Sequence, residues 1–124
     1  MKIADRICGW ILLLGAVGHS MGSLQAYGHS PELLLWAECA TLMLLLLGAL
    51  NLLRVGRPGD HALAWVSFAG CVGWLIAVMA FGKLIGNYLD FRFLIQGTVT
   101  LALAGFSLRT ALGQASRAMP LQND

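Results

Sequence analysis

His19 and Glu38 are ionisable residues that stand inside long apolar stretches of this 124-residue chain. Such residues are rare in apolar segments and usually mark functional sites, because an unpaired carboxylate inside a bilayer costs about 2–3 kcal/mol. An imidazole and a carboxyl group are suited to proton transfer, so Glu38 and His19 are the candidate general acid and base. Gln96 lies in another apolar stretch, and Ser23 and Thr41 lie one helical turn from His19 and Glu38.

The same residues suit a binding site for a small hydrophobic or lipidic molecule. Ligand pockets combine apolar walls with a few convergent polar groups. We predict Gln96, Ser23 and Thr41 as polar contacts, and Met21 and Trp36 as apolar walls. The alternative is a purely structural role, in which His19, Glu38 and Gln96 form one hydrogen-bond network that fixes the order and register of the helices.

Motifs for metal, nucleotide or nucleophilic chemistry are not recognisable in the sequence. Its three cysteines are scattered and form no CxxC pair, which argues against a disulfide framework and a zinc site. A metal site at His19, Glu38 and His29 would lack any diagnostic spacing. Haem held by two histidines would need a second histidine at the depth of His19. We therefore predict no metal and no cofactor.

The composition is that of a membrane protein. Hydrophobic residues make up 58% of the chain and charged residues 11%, against about 25% charged residues in a typical soluble domain. A soluble domain of this size could not bury so much apolar surface, whereas a bilayer removes the need to do so. The net charge of +2 and the lack of a basic patch argue against a nucleic-acid partner.

Four apolar segments are each about as long as the 20 residues that a spanning helix needs. The predicted spans are 7–27, 31–53, 61–85 and 91–112, in a single domain of residues 1–115. We predict an all-α membrane protein, a four-helix antiparallel bundle, followed by a disordered polar tail at 116–124. The alternative for the first segment is a cleaved signal peptide with Ile7–Val17 as its apolar core.

The distribution of lysine and arginine predicts the orientation. One side of the predicted bundle has six of these residues, namely Lys2, Arg6, Arg54, Arg57, Arg109 and Arg117. The other side has Lys83 and Arg92. The positive-inside rule then places both termini in the cytoplasm, as in a bacterial inner-membrane protein. His19 and Glu38 lie roughly 10–12 Å below the outer surface, so they share a layer with Gln96 slightly above them.

Stripes of small or polar residues are expected to pack inside the bundle. They are Gly18, Gly22 and Ala26 in the first span, Ala69, Gly73 and Ala77 in the third, and Gln96, Thr100, Ala104, Ser107 and Ala111 in the fourth. The second span is nearly continuous leucine from Leu42 to Leu53, which predicts contact with lipid or with a partner subunit.

Two further classes of function fit the same pattern. The first is an accessory subunit of a larger membrane complex, or a homo-oligomer. The second is a small proton-coupled transporter, since in size and topology the chain resembles the small multidrug resistance exporters. In that family the membrane glutamate is in the first helix, whereas Glu38 is in the second. The bias of six cations against two also differs from the weak bias of those exporters.

Overall fold

A computed structural model describes residues 2–113, and the predicted tail at 116–124 lies outside the described residues. The described chain is helical apart from its short connections. The helices are α1 (Lys2–Tyr27), α2 (Pro31–Gly56), α3 (His61–Ile85) and α4 (Phe91–Leu112). Each of them is long and apolar enough to cross a membrane.

Capping groups mark the starts of the later helices. Pro31 occupies the start of α2, where its missing N–H is not needed. Asp60 Oδ1 accepts a hydrogen bond from Leu63 N at 2.9 Å and so caps α3. Asp90 does the same for α4. Ser30 occupies the N-cap position of α2, but its side chain makes no capping hydrogen bond.

Helices α1 and α2 extend beyond the predicted spans at the ends that carry charge. The apolar pattern predicts a first span from residue 7 and a second one to residue 53, whereas α1 begins at Lys2 and α2 ends at Gly56. Asp5 and Arg54 are therefore helical residues. This corrects the expectation that Arg54 belongs to the connecting loop.

The helices contact one another as two pairs. Contacts are most extensive between α1 and α2, the first pair, and between α3 and α4, the second pair. Weaker contacts between α1 and α4 and between α2 and α3 join the two pairs. The shared apolar core consists of Leu12, Ala16, Leu44, Leu47, Cys71, Leu103 and Ala104.

The leucine-rich face of α2 is only partly directed outward. Leu44 and Leu47 are buried in the core, whereas Leu42, Leu46 and Leu53 are exposed. One face of this run is therefore exposed, and its contact with lipid or a partner stays a prediction; for the other face that expectation is wrong, because it is buried in the core. The α4 stripe agrees with the prediction, since Thr100, Ala104, Ser107 and Ala111 are buried.

Close approach between α1 and α2 depends on Gly9 and Gly48. A Cβ atom added at Gly48 would lie 2.8 Å from Leu13 Cδ2 and 3.2 Å from the carbonyl oxygen of Gly9. By contrast, no atom would lie within 4 Å of a Cβ atom added at Gly18 or Gly22. The predicted packing of Gly18 and Gly22 inside the bundle is therefore wrong, and their surface is open.

Candidate functional site

A cluster of polar side chains lies between α1 and α2, which we call the His19 cluster. Its members are His19, Ser20, Ser23, Glu38 and Thr41. His19 Nδ1 lies 3.0 Å from Thr41 Oγ1 and 3.4 Å from Ser23 Oγ. Ser20 Oγ donates a hydrogen bond to Glu38 Oε2 at 3.0 Å. Helix pairing thus brings His19 into contact with Thr41, whereas Ser23 lies one turn from His19 on α1 itself.

Thr41 favours one tautomer of His19. The Thr41 hydroxyl donates to the carbonyl oxygen of Ala37 at 3.4 Å, one turn earlier in α2. Its oxygen can then accept a hydrogen bond from His19 Nδ1–H, 3.0 Å away. A neutral imidazole protonated at Nδ1 keeps Nε2 as its basic nitrogen. In this tautomer Nε2 is the ring nitrogen that can accept a proton.

Glu38 has one carboxylate oxygen that the protein does not pair. Oε2 accepts from Ser20, whereas Oε1 is buried and has no hydrogen-bond partner among the described residues. A buried polar atom without a partner costs about 1–3 kcal/mol. The hydrogen bond from Ser20 to Glu38 was not predicted from the sequence. A usable signal was present, because Ser20 is polar and directly follows His19.

Gln96 belongs to a different site. The Trp74 indole N–H donates to Gln96 Oε1 at 3.4 Å, a contact within the second helix pair. The predicted network of His19, Glu38 and Gln96 is therefore divided between two places. Trp74 was not among the predicted site residues, because a tryptophan in an apolar stretch has no distinguishing sequence signal.

A half-open groove of about 300 Å³ lies between α1 and α4. It is lined by Ile11, Leu12, Leu14, Gly15, Ile95, Gln96 and Val99. Gln96 is the polar member of this lining, and His19 and Glu38 are not part of it. Met21 and Trp36, predicted as pocket walls, are 59% and 67% exposed and do not line this groove.

A second polar cluster, the Arg54 cluster, lies at the opposite end of the bundle. Its members are Asp5, Asn51, Arg54, Ser107 and Thr110. Arg54 is 1% exposed, and its Nη2 donates to Asp5 Oδ1 at 2.6 Å and to Asn51 Oδ1 at 3.2 Å. Arg54 Nη1 donates to Thr110 Oγ1 at 3.1 Å, and Ser107 Oγ donates to Asn51 Oδ1 at 3.1 Å. The cluster joins α1 and α2 to α4.

The Arg54 cluster was not predicted from the sequence. Counting arginines for the positive-inside rule treats them as solvated, which hid the burial of Arg54. One signal was available, because Asn51 interrupts a leucine run one helical turn before Arg54 and so shares its face. Asn51 also donates to Cys71 Sγ at 3.6 Å, so the cluster contacts α3 as well.

Cys8, Cys39 and Cys71 are free thiols. Within residues 2–113, no three His, Cys, Asp or Glu side chains are grouped so as to hold a metal ion. Comparisons with protein-family models, with curated proteins and with solved structures gave no match to this chain. The candidate functional features of the chain are therefore the two polar clusters and the groove.

Proposed function

We propose that this chain is a small integral membrane protein that binds a small hydrophobic or lipidic molecule in the groove between α1 and α4. Four helices suited to spanning a bilayer support the membrane assignment. The observation that carries the binding proposal is the groove itself, which is open on one side and apolar except for Gln96. Its volume of about 300 Å³ is at the lower end of the range typical of ligand sites.

The proposed arrangement is an antiparallel bundle with both termini in the cytoplasm of a bacterial cell. Contacts from Asp5 to Arg54 and from Ser20 to Glu38 connect the start of α1 with the end of α2, and the later part of α1 with the earlier part of α2. Two antiparallel neighbours make contacts in this order. The excess of lysine and arginine at the termini and the α2–α3 loop supports the orientation.

Acid–base chemistry on a small hydrophobic or lipidic molecule is proposed for the His19 cluster as a separate site, since neither His19 nor Glu38 lines the groove. The buried Glu38 Oε1 supports this role, because the protein provides it with no hydrogen-bond partner and a substrate that enters between α1 and α2 would provide one. The cluster faces α2, whereas the groove faces α4. Binding and chemistry can therefore be separated by substitution.

The experiment measures saturable binding of 1-bromoundecane to the protein in maltoside micelles. Bromine quenches the fluorescence of Trp74, whose partner Gln96 lines the groove. The other tryptophans, Trp10, Trp36 and Trp65, are replaced by phenylalanine so that only Trp74 reports. We expect quenching that saturates with probe concentration, because a defined site fills whereas partition into the micelle does not.

Matched leucine substitutions locate the site. Gly15→Leu fills the groove and should abolish saturable quenching, whereas Gly18→Leu adds the same side chain to an open surface of α1 and should retain it. Glu38→Gln should also retain it, because Glu38 does not line the groove. Equal binding by the two leucine variants would refute the proposed site, and loss in Glu38→Gln alone would move it to the His19 cluster.

A second candidate function is an accessory subunit or a homo-oligomer. The observation that favours it is the open surface at Gly18 and Gly22, since small residues four apart allow close helix–helix contact in membranes. In this case Gly22→Leu should release a partner that purifies with the wild-type protein in fixed ratio. A wild-type protein that purifies as a monomer would refute this candidate.

A further inference from the structure

We infer that the molecule bound in the groove is neutral and carries a hydrogen-bond-accepting oxygen, such as the carbonyl of a ketone, ester or quinone, that accepts from Gln96 Nε2. This inference rests on the proposed function and adds the chemical class of the ligand. It follows from the way in which Trp74 orients the Gln96 amide.

Trp74 determines which end of the amide faces the groove. The indole N–H is a donor only, so the amide atom opposite it must be the oxygen. The structure has this arrangement, with Trp74 Nε1 3.4 Å from Gln96 Oε1. The donor and acceptor chemistry thus fixes the orientation of an amide whose two ends are otherwise nearly alike.

The amide nitrogen is thereby directed at α1. Gln96 Nε2 would lie 3.2 Å from a Cβ atom added at Gly15, and both residues line the groove. Within residues 2–113 no protein acceptor receives a hydrogen bond from Nε2. The groove therefore offers N–H donors that a ligand oxygen can use.

The rest of the lining excludes charge. Besides Gln96 and Gly15, the groove is lined by Ile11, Leu12, Leu14, Ile95 and Val99. A carboxylate or an ammonium group placed against these side chains would lose its hydration without gaining a counter-ion. One donor in an apolar groove is suited to a neutral carbonyl oxygen.

The polar group also lies at one end of the groove. Gly15 and Gln96 form the end towards Tyr27 and Phe91, and Ile11 and Val99 form the other end. In the proposed orientation the amide end faces the outer surface. An amphiphile from the outer leaflet would place its oxygen at Gln96 and its chain towards the middle of the bilayer.

The test compares 2-undecanone with undecane, which has the same carbon chain without the oxygen. Each competes with 1-bromoundecane for the groove of the full-length protein in maltoside micelles, which contain no ester carbonyl. A net hydrogen bond should make the ketone bind about two- to tenfold more tightly than the hydrocarbon. Gln96→Leu should remove this preference while both probes still bind.

An infrared measurement distinguishes a direct hydrogen bond between Gln96 and the ketone from a general effect of the substitutions on protein stability. The carbonyl stretch of ¹³C-labelled 2-undecanone should move to lower wavenumber when bound, and this shift should disappear in Gln96→Leu. Trp74→Phe keeps a ring but removes the donor, so the shift should weaken and broaden as the amide reorients. Gly18→Ala should leave both the shift and the preference unchanged.

The outcomes distinguish this inference from the proposed function. Equal affinity for the ketone and the hydrocarbon, with binding still lost in Gly15→Leu, would overturn the inference alone. Absence of saturable 1-bromoundecane binding would overturn the proposed function. Displacement of the ketone by added diacyl phosphatidylglycerol would identify the ester carbonyl of a membrane lipid as the acceptor. A ketone that stays bound would identify a small molecule that is not a membrane lipid.

Discussion

Arg54 is the largest of the fully buried side chains in the described protein. Its charge is neutralised by Asp5, whose side chain is 12% exposed, at 2.6 Å. Removing one member of a buried ion pair leaves the other charge without compensation. We expect Asp5→Asn to lower the free energy of unfolding by about 3–5 kcal/mol, measured by detergent denaturation followed by helical circular dichroism.

The pair of Asp90 and Arg92 provides the control, because Arg92 is exposed and the bond joins residues two apart at the start of α4. Hydrogen bonds from the Arg92 side chain hold the pKa of Asp90 at about 2, below its ordinary value of 3.8. The pair therefore stabilises the folded protein above pH 3.8, and this effect disappears as the pH falls towards 2. Asp90→Asn should lower the free energy of unfolding at neutral pH much less than Asp5→Asn does, because an exposed ion pair contributes little. Equal losses in the two variants would contradict the special role of Asp5.

Individual residues of the candidate site were predictable to different degrees. His19 meets Thr41 across the first helix pair, as the predicted neighbouring of the two helices requires, and Ser23 meets His19 because it lies one turn later on α1. Gln96 was predicted to share a layer with His19 and Glu38, but the position of a residue along its helix does not determine which neighbour its side chain faces. Its bond to Trp74 follows from the pairing of α3 with α4.

At the scale of the helices, the crossing of α1 and α2 depends on two facing glycines. Gly48→Ala would place a methyl group 2.8 Å from Leu13 Cδ2 and 3.2 Å from the Gly9 carbonyl oxygen. Overpacking of this kind costs about 1–3 kcal/mol. We expect a corresponding loss in the free energy of unfolding by the same detergent titration.

Gly22→Ala is the matched control, since its added methyl group meets no atom within 4 Å. Alanine favours the helix more than glycine does, so this variant should be as stable as the wild type or slightly more stable. If Gly22→Ala lowered the free energy of unfolding more than Gly48→Ala did, the close crossing of α1 and α2 would lie at the other end of α1.

The existence of the helices was predictable, but the face through which they pack was less so. Apolar length and the capping residues Asp60 and Asp90 indicate where helices lie. Small residues show only that close approach is allowed, and α1 has such residues on two faces. The face with Gly9 packs because it also carries Leu12 and Ala16, which reach the shared core.

At the scale of the whole molecule, the proposed topology predicts which loops are accessible from each side. His29 and Gly59 are exposed residues of the α1–α2 and α2–α3 loops. In a protein whose native cysteines are replaced by alanine, a membrane-impermeant maleimide should label His29→Cys in intact cells. Gly59→Cys should react only after lysis, and the reverse pattern would contradict the proposed orientation.

The bonds of the Arg54 cluster have a consequence for biogenesis. Arg54 can pair with Asp5 as soon as α2 has been synthesised, but Thr110 is 56 residues further along the chain. Until α4 is inserted, Asn51 also lacks its bond from Ser107. The first helix pair thus leaves polar groups of the cluster without their partners, and α4 provides those partners. The Arg54 cluster is accordingly complete only when α4 has packed against the first helix pair.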